Sequence, residues 1–366
     1  MTEPEDSVEH VADGRRPVIA LNPVQERYRR SVLAKLQAEA YRLESVAECL
    51  CGTGEAIAVA DHDRFGLPVG VVACTNCGLA RTTPRLAAAD LPRFYQEDYH
   101  GLHMGVPEPD PSMSLFRAGQ GAIIHGKVGD LMPRRHVRIA EIGCGTGQVL
   151  REFLDAASQG GRSGEAIGCE YAPAYVRAGR SVGSDIREGG ADVLENDGPF
   201  DLVILSHVLE HFADVPAEMN VISRLVGDRG LVYVEVPGVL SIHRKPEYDF
   251  EFIRYFTLAH TYHFCLDTLM DVMHRAAFEL VSGDEEIRSV FRSTALTAER
   301  AVSRGPATLL SYLDWLAESR IVRIKRIVLR LGRRSRDTAR RTARGVLGAR
   351  IYGLIRGTAH RLGIRR

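Results

Sequence analysis

A glycine-rich segment, IAEIGCGTGQVL, contains Gly143, Gly145 and Gly147 directly after a run of short apolar residues. The dinucleotide fingerprint G-x-G-x-x-G places its third glycine one residue later, and a G-x-x-x-x-G-K-[ST] phosphate loop requires a lysine that this segment lacks. Glu141 lies two residues before the first glycine. A carboxylate there would repel a phosphate but accept hydrogen bonds from an ammonium group. The segment therefore favours a ligand with a cationic part and no phosphate.

A second acid, Glu170, ends the next apolar segment, EAIGCE, 23 residues after Gly147. A carboxylate at the end of such a strand can accept hydrogen bonds from both hydroxyls of a ribose. A ligand that combines a ribose, a cationic part and no phosphate is S-adenosylmethionine. The sequence therefore predicts that the glycine loop closes against the amino-acid and ribose portions of this cofactor.

Two cysteine pairs precede this region: Cys49 and Cys51 in CLCG, and Cys74 and Cys77 in CTNCG. Four thiolates on two turns suit a tetrahedral Zn²⁺, and the glycine after each pair permits a tight knuckle. The alternative is four unrelated buried thiols. We expect a structural zinc site.

Several histidines follow the glycine loop and could serve the chemistry of methyl transfer. The reaction is an in-line displacement, so the enzyme must align the nucleophile and often remove its proton. We predict His260 and His263, in LAHTYHFCLDTL, as groups on the acceptor side, with His207 as a further candidate. A purely structural role is the alternative for each, and bracing of a helix is the alternative for His211.

Alternating segments must position these residues. RIAEI, EAIGCE, FDLVILS and GLVYVEVP are short and apolar, as expected of buried parallel strands, and helical patterns separate them. FELVSGDEEIRSVFRSTALTA predicts two strands joined by a turn. We therefore expect an α/β fold with a doubly wound sheet and a closing hairpin.

The motifs EIGCGTG, GCE, FDLVILSHVLEHFADV and GLVYVEVPG, in this order, resemble those of class I S-adenosylmethionine-dependent methyltransferases. The resemblance covers about 137 to 298 and implies a Rossmann-like methyltransferase sheet. It implies that Glu141 and the three glycines line the methionine end of the cofactor, and that Glu170 holds the ribose. It further implies that Asp192 faces the adenine amine and that Ser206 and His207 border the cofactor.

The segment CTNCGLARTTPRLAAADLPRFYQEDYHG resembles the N-terminal zinc-binding module of certain sugar and natural-product methyltransferases. In that module C-x-x-C-G-L leads to a Phe-Tyr and a later Tyr. The family normally has C-x-x-C in the first knuckle as well, whereas here a single residue separates Cys49 from Cys51. The resemblance implies a structural zinc and a sugar or small-molecule acceptor.

The charge of the chain is unevenly distributed. The 366 residues carry 47 basic and 47 acidic side chains, yet 319–366 holds 16 of the basic ones and a single acid. From Leu309 onward, apolar residues recur at helical spacing: Leu309, Leu313, Leu316, Ile321, Ile324, Val328 and Leu331. A basic amphipathic helix suits an anionic membrane surface. The alternatives are a helix packed on the core and, disfavoured by the lack of interleaved aromatics, nucleic acid binding.

The remaining features concern compartment and domain organisation. The acidic start MTEPEDSVEH is unlike a secretory signal, no apolar run approaches the roughly 18 residues of a membrane span, and seven cysteines favour a reducing compartment. We expect a cytoplasmic protein that is peripheral on the inner face of the membrane. The expected domains are a disordered N-terminus (1–24), a helix plus zinc-binding module (25–112), the methyltransferase domain (113–298) and a basic amphipathic helical tail (299–366).

These observations predict a methyltransferase that uses S-adenosylmethionine to methylate oxygen on a sugar or glycan, lipid-linked at the membrane surface. One alternative is a C-methyltransferase acting on a nucleotide sugar or polyketide-type metabolite. Another is a non-catalytic binding module with a methyltransferase fold. The intact Glu141, glycine loop and Glu170 argue against the latter.

Overall fold

The N-terminal module starts with a capped helix and continues as short strands. A computed structural model describes residues 14–106, 117–133, 136–294 and 307–329. The Asn22 side chain accepts a hydrogen bond from the backbone N–H of Gln25, and the Gln25 side chain accepts one from the N–H of Asn22, which forms a capping box. In chain order the module contains α1 (Pro23–Gln37), β1 (Leu43–Glu44), β2 (Ala56–Ala60), β3 (Val71–Cys74), β4 (Ala80–Thr82), β5 (Arg85–Leu86) and α2 (Leu91–Glu97).

Helix α1 is shorter than its sequence pattern indicated. Val32, Leu36, Leu43 and Val46 are near helical spacing and predict a helix over about 25–46. The helix ends instead at Gln37, and Glu39 then takes a φ of 54°. The chain turns because Tyr41 is buried, with its hydroxyl donating a hydrogen bond to the carboxylate of Asp98. The later apolar residues of the pattern therefore belong to β1 and the loop after it.

The rest of the described chain alternates strands and helices. In chain order the elements are α3 (Gln120–Val128), β6 (His136–Ile142), α4 (Gln148–Gln159), β7 (Ser163–Glu170), α5 (Pro173–Ser181), β8 (Asp185–Glu188), β9 (Phe200–Ser206), α6 (Val215–Leu225), β10 (Val226–Glu235), α7 (Phe252–Tyr255), β11 (Tyr262–His263), α8 (Leu266–Arg275), β12 (Phe278–Ser282), β13 (Arg288–Ser293) and α9 (Ala307–Glu318). A further helical segment follows at 320–329.

Within the described residues, seven strands form one sheet in the order β12-β13-β10-β9-β6-β7-β8. Strands β6 to β10 pair in parallel, and β13 is antiparallel to both β10 and β12. Because the chain leaves β6 toward β7 on one side and later returns to β9 on the other, a crevice opens beyond the carboxyl ends of these strands. The predicted doubly wound, Rossmann-like sheet and its closing hairpin are confirmed.

Both faces of this sheet are covered, which explains its nearly continuous apolar strands. Leu202 and Ile204 of β9 are buried in one core with Phe153 of α4. Val203 of β9 is buried in the opposite core with Ile222 of α6. Alternate side chains of one strand thus hold helices on both faces and fix the position of the crevice.

A second sheet, with the order β11-β4-β3-β2, ties the N-terminal module to the central domain. Strand β11 pairs antiparallel with β4, with Tyr262 opposite Arg81 and His263 opposite Ala80. Thr82 also donates a side-chain hydrogen bond to the carbonyl of His260. The module therefore lies against the segment that carries two of the predicted histidines. The predicted boundary at 112 falls outside the described residues.

The beginning of the predicted tail packs against the central domain. Leu309, Leu316 and Val322 are buried, and the Tyr312 hydroxyl accepts a hydrogen bond from the backbone N–H of His243 at 2.9 Å. Among the described residues, no helix is both long and apolar enough to cross a bilayer. Residues 1–13 of the predicted N-terminal segment and residues 299–306 and 330–366 of the predicted tail lie outside the described ranges.

Candidate active site

The glycine loop connects β6 to α4 at the crevice. Gly143, Gly145 and Gly147 have φ values of 66°, 57° and 70°, which L side chains rarely adopt. A Cβ atom added at Gly145 would meet nothing within 4 Å in the described structure, whereas one at Gly143 would lie 2.7 Å from Cγ2 of Val208. The loop thus leaves open space on one side and packs closely toward the end of β9 on the other.

Glu141, near the end of β6, is fully buried. Its Oε1 accepts a hydrogen bond from Nη2 of Arg117 at 2.8 Å, and its Oε2 has no hydrogen-bond partner among the described residues. Burial raises the pKa of this carboxyl to about 7, although Arg117 opposes the shift. An unpaired buried oxygen is suited to an ammonium donor, either directly or through water. The residues present therefore fit the amino-acid end of S-adenosylmethionine.

Glu170 links the end of β7 to the glycine loop. Its Oε2 accepts a hydrogen bond from the backbone N–H of Gly145 at 3.0 Å, and its Oε1 accepts one from that of Ala172 at 2.9 Å. Burial raises its pKa, while these backbone donors oppose the shift. Each of the two carboxylate oxygens can accept a further hydrogen bond, so Glu170 can still accept hydrogen bonds from the ribose hydroxyls.

Asp192 follows β8, the strand at one edge of the seven-stranded sheet. This exposed residue lies in the helical turn Ala191–Leu194 that follows β8. Tyr171, which follows Glu170 and is 55% exposed, approaches Gly190 closely: a Cβ added at Gly190 would lie 2.4 Å from the Tyr171 hydroxyl. Tyr171 was not among the residues predicted from the sequence, although its place beside Glu170 was a usable signal. An adenine-side role for Asp192 stays a prediction.

The end of β9 carries Ser206 and His207. Ser206 is buried, and its hydroxyl donates a hydrogen bond to Oε2 of Glu235 at 3.4 Å. The backbone N–H of His207 donates to the carbonyl of Glu235 at 2.7 Å, and His207 has a φ of 58°. This conformation leaves the His207 side chain 53% exposed, with Nδ1 3.5 Å from Oε1 of Glu210.

Glu210, which His207 approaches, belongs to a group of five side chains that we call the His–Tyr cluster: Tyr95, Tyr99, Glu210, His211 and His260. The rings of His211 and His260 meet edge to face at 5.0 Å, and those of Tyr95 and His211 at 6.0 Å. Burial lowers the pKa of His260 well below its usual range, so its imidazole is neutral near pH 7. The cluster combines apolar ring faces with hydrogen-bonding groups.

Glu210 is the member of the cluster that the sequence analysis missed. It is only 2% exposed, and neither carboxylate oxygen has a hydrogen-bond partner in the described part of the chain. The segment HVLEH was noted for its two histidines, and the acid between them was the available signal. The phenols of Tyr95 and Tyr99 come from the Phe-Tyr and later Tyr of the zinc-module resemblance.

His263 lies apart from this cluster. It is 1% exposed, with Nε2 3.2 Å from the Thr82 hydroxyl and Nδ1 3.4 Å from that of Tyr255. Burial lowers its pKa to about 3. The structure therefore brings His207 and His260 to one region and places His263 between β11 and β4.

The four cysteines of the predicted zinc site converge. All four sulfur atoms lie within 4.8 Å of one another, with 3.6 Å between Cys49 and Cys77 and 3.5 Å between Cys51 and Cys74. A tetrahedral zinc with Zn–S bonds of about 2.3 Å needs sulfurs about 3.8 Å apart. All four are free thiols. Despite its single intervening residue, the first pair fits a tetrahedral thiolate site.

The sequence of this chain is similar to those of known methyltransferases. A family model described as a methyltransferase domain matches residues 83–283, more than half of the chain. The ubiquinone biosynthesis O-methyltransferase of Bartonella tribocorum is 29% identical over 106 residues, which is 28% of this chain and 42% of that protein. The chain thus matches about two fifths of the length of this curated relative.

Two solved structures are also similar. One is the 1,6-didemethyltoxoflavin-N1-methyltransferase of Burkholderia thailandensis, with 17% identity, a TM-score of 0.39, and coverage of 59% of this chain and 95% of that one. The other is an S-adenosylmethionine-dependent methyltransferase from Archaeoglobus fulgidus, with 15% identity, a TM-score of 0.35, and coverage of 57% and 92%. Since the family model spans more than half of the sequence, this chain belongs to the methyltransferase family, and its resemblance to the class I S-adenosylmethionine-dependent enzymes is confirmed.

Proposed function

We propose that the protein transfers the methyl group of S-adenosylmethionine to a hydroxyl of a sugar or glycan acceptor. The supporting observation is the position of Tyr99, which packs on His211 within the His–Tyr cluster and is also near the ribose-side acid Glu170. Burial raises the pKa of Tyr99, and the charges of both Glu210 and Glu170 raise it further. Tyr99 therefore connects the proposed acceptor region with the ribose-side acid.

The residues of the site have three roles: they hold the cofactor, contact the acceptor and remove its proton. Glu141 and Glu170 hold the cofactor at its amino-acid and ribose ends, with Asp192 and Ser206 bordering it. When bound, S-adenosylmethionine supplies an electrophilic methyl group on its sulfonium. His260 faces the acceptor as part of the His–Tyr cluster.

His207 receives the proton of the acceptor hydroxyl in this proposal. Its exposed ring stands at the end of β9, with Nδ1 3.5 Å from the carboxylate of Glu210. If that carboxylate holds the Nδ1 hydrogen, Nε2 is left as the base. His263 positions the segment by bonding Thr82 and Tyr255.

The chemistry of the cluster supports a polyhydroxylated acceptor. Tyrosine and histidine rings offer an apolar face together with a hydrogen-bonding edge, and a sugar presents both kinds of surface. The zinc-module resemblance points to the same substrate class. We also propose that the four cysteines hold a structural Zn²⁺, which fixes the module against the acceptor region.

Methyl incorporation from labelled S-adenosylmethionine tests the proposed function. The full-length protein is incubated with nucleotide sugars, lipid-linked glycans and polyketide-type metabolites, and the products are examined by NMR. A new O-methyl signal on a sugar supports the proposal. A methyl group on carbon supports the C-methyltransferase alternative instead. Cofactor binding without transfer to any acceptor class would favour the non-catalytic module.

The helical segment 320–329 has an apolar face that is open to solvent. Segment 320–329 packs one face on the protein through the buried Val322, and it exposes apolar side chains on the other: Ile321, Ile324, Ile327 and Val328, at 65%, 60%, 51% and 63%. Exposed Arg320, Arg323 and Lys325 flank them. We propose that this face binds an anionic membrane surface, on the cytoplasmic side, where a lipid-linked acceptor would be found.

A further inference from the structure

We propose that Glu210, His211 and His260 form a second metal site, distinct from the four cysteines, that binds a divalent transition cation of the zinc type beside the acceptor. One ligand atom from each residue lies within 4.8 Å of the others. Two histidines and a carboxylate are a ligand set that zinc uses in catalytic sites, where a fourth position stays open.

The orientation of His211 is the first argument. Its Nδ1 lies 2.8 Å from the backbone carbonyl of Ala259, and a carbonyl can only accept, so Nδ1 carries the hydrogen. In the neutral ring Nε2 then has a free lone pair. That nitrogen lies 3.9 Å from Oε1 of Glu210. Two acceptor atoms thus face each other, and a cation between them would satisfy both.

The buried carboxylate is the second argument. Glu210 is 2% exposed, and both of its oxygens lack a hydrogen-bond partner within the described ranges. Nδ1 of His260 is also buried and unpartnered there. Nδ1 of His207 lies 3.5 Å from Oε1 without forming a hydrogen bond in this geometry. An ionised carboxylate that is buried without a hydrogen bond is costly, and metal coordination is one of the ways in which proteins compensate for it.

The supporting structure holds these ligands in place. The hydrogen bond from His211 to Ala259 fixes the ring tautomer, as in established metal sites whose histidines donate their other nitrogen to a carbonyl. The backbone N–H of Thr261 donates to the carbonyl of Glu210 at 2.7 Å, and its hydroxyl donates at 2.9 Å. The two segments that supply the ligands are therefore tied together.

Zinc–ligand bonds of about 2.0–2.2 Å place ligand atoms about 3.3 Å apart, so the side chains need only small rotations to close on the ion. The open position would take the acceptor oxygen, and the cation would lower the pKa of that hydroxyl before it attacks the sulfonium methyl. This role toward the acceptor rests on the proposed function, whereas binding of the cation does not.

Cobalt(II) is the probe for this site. Full-length protein that already carries zinc in its cysteine site is titrated with Co²⁺ and followed by visible absorption. We expect one further equivalent to bind, with ligand-field bands but without the thiolate-to-cobalt charge-transfer band. Glu210→Gln and His260→Asn should each weaken this binding about tenfold or more, because each removes a ligand. Glu218→Gln, an acid of α6 outside the site, should bind like the wild type.

Circular dichroism and thermal melts show whether each variant is folded. Co²⁺ binding by a folded Glu210→Gln or His260→Asn variant then decides whether these residues bind the cation. Co²⁺ that binds only with the thiolate band, or with unchanged affinity in a folded Glu210→Gln or His260→Asn variant, overturns the second site. Calorimetry with S-adenosylhomocysteine and the methyl incorporation assay are run on the same samples. Methyl transfer without a second ion overturns this inference alone, and a second ion without methyl transfer overturns the proposed function alone.

Discussion

Oε2 of Glu170 accepts a hydrogen bond from the backbone N–H of Gly145 at 3.0 Å, so the ribose-side acid and the glycine loop form one unit. A second backbone N–H, that of Ala172, donates to Oε1. The conformation of the loop therefore depends on a side chain from the neighbouring strand. A change at Glu170 should affect both the ribose contact and the loop that surrounds the amino-acid end.

We predict that Glu170→Ala weakens binding of S-adenosylmethionine at least about tenfold. Hydrogen bonds to a charged group contribute about 1.5–3 kcal/mol each, and loss of one to the ribose already accounts for such a change. Calorimetry measures the affinity. Glu188→Ala, at the exposed end of β8, is the matched control and should bind normally. Unchanged affinity in Glu170→Ala would show that this acid does not hold the cofactor.

Cofactor affinity should also depend on pH through Glu141. Burial raises its pKa to about 7, Arg117 opposes this, and the charge of Glu170 adds to it. The ligand's ammonium group requires the ionised carboxylate, so affinity should rise as the pH increases through about 7 and then level off. At about pH 6 only roughly a tenth of the carboxyl is ionised, and affinity should be about tenfold lower than at about pH 8.

The measurement is calorimetry with S-adenosylhomocysteine, which has the same ammonium group and does not react. Glu141→Gln should bind weakly at both pH values and lose most of the pH dependence. A wild-type affinity that is equal at the two pH values, or a slope that persists in Glu141→Gln, would remove Glu141 from this role.

Removal of the proposed structural zinc should destabilise the protein. The sulfur atoms lie 3.5–3.6 Å apart in each of two pairs, and without a metal their thiolates would repel one another. Metal analysis should give at least one zinc per chain, and the double variant Cys74→Ser, Cys77→Ser should lose it together with several degrees of Tm. Cys265→Ser, at the start of α8, is the control. Metal-free wild-type protein with an unchanged Tm would exclude the site.

The two histidines that the sequence grouped together should respond differently. His260→Ala should lower methyl transfer while Tm changes little, because the ring borders the acceptor region. His263→Ala should lower the free energy of unfolding by about 1–3 kcal/mol, since it leaves the buried hydroxyls of Thr82 and Tyr255 without their ring partner. Thermal melts and turnover measured on both variants test the distinction. Equal losses of stability in the two would contradict it.

The different roles of His260 and His263 also show what the sequence could predict. Strands β6, β7, β9 and β10 were evident because a buried parallel strand is a local apolar run, and the glycine loop followed from its own spacing. The pairing of β11 with β4 joins residues far apart in the chain, and no local pattern encodes it. The sequence shows Glu210 beside a histidine, but its burial together with His260 exists only after the two segments meet.

The final prediction concerns the exposed face of 320–329. The tail pattern treated its apolar residues as a single stripe, but the structure divides them: Leu309 and Leu316 are buried, whereas Ile321, Ile324 and Val328 are exposed. Truncation after Glu318 would remove the buried Val322, so substitution is the sharper test. The triple variant Ile321→Ser, Ile324→Ser, Val328→Ser removes three of the four exposed apolar side chains, leaving Ile327, and does not alter the packed face.

Wild-type protein should sediment with liposomes that contain anionic lipid, much less with neutral ones, and dissociate as the salt concentration rises. Each nearby basic residue contributes about 1 kcal/mol of attraction to an anionic surface, and burial of the stripe adds to it. The triple variant should lose most of this binding and keep its cofactor affinity, because the cofactor residues lie far from 320–329 in the chain. Ile123→Ser, which alters a comparably exposed apolar residue of α3, should bind as the wild type does. If the triple variant and the wild type sediment equally, the exposed apolar side chains do not bind the membrane. If the wild-type protein does not bind anionic liposomes, the membrane proposal is wrong.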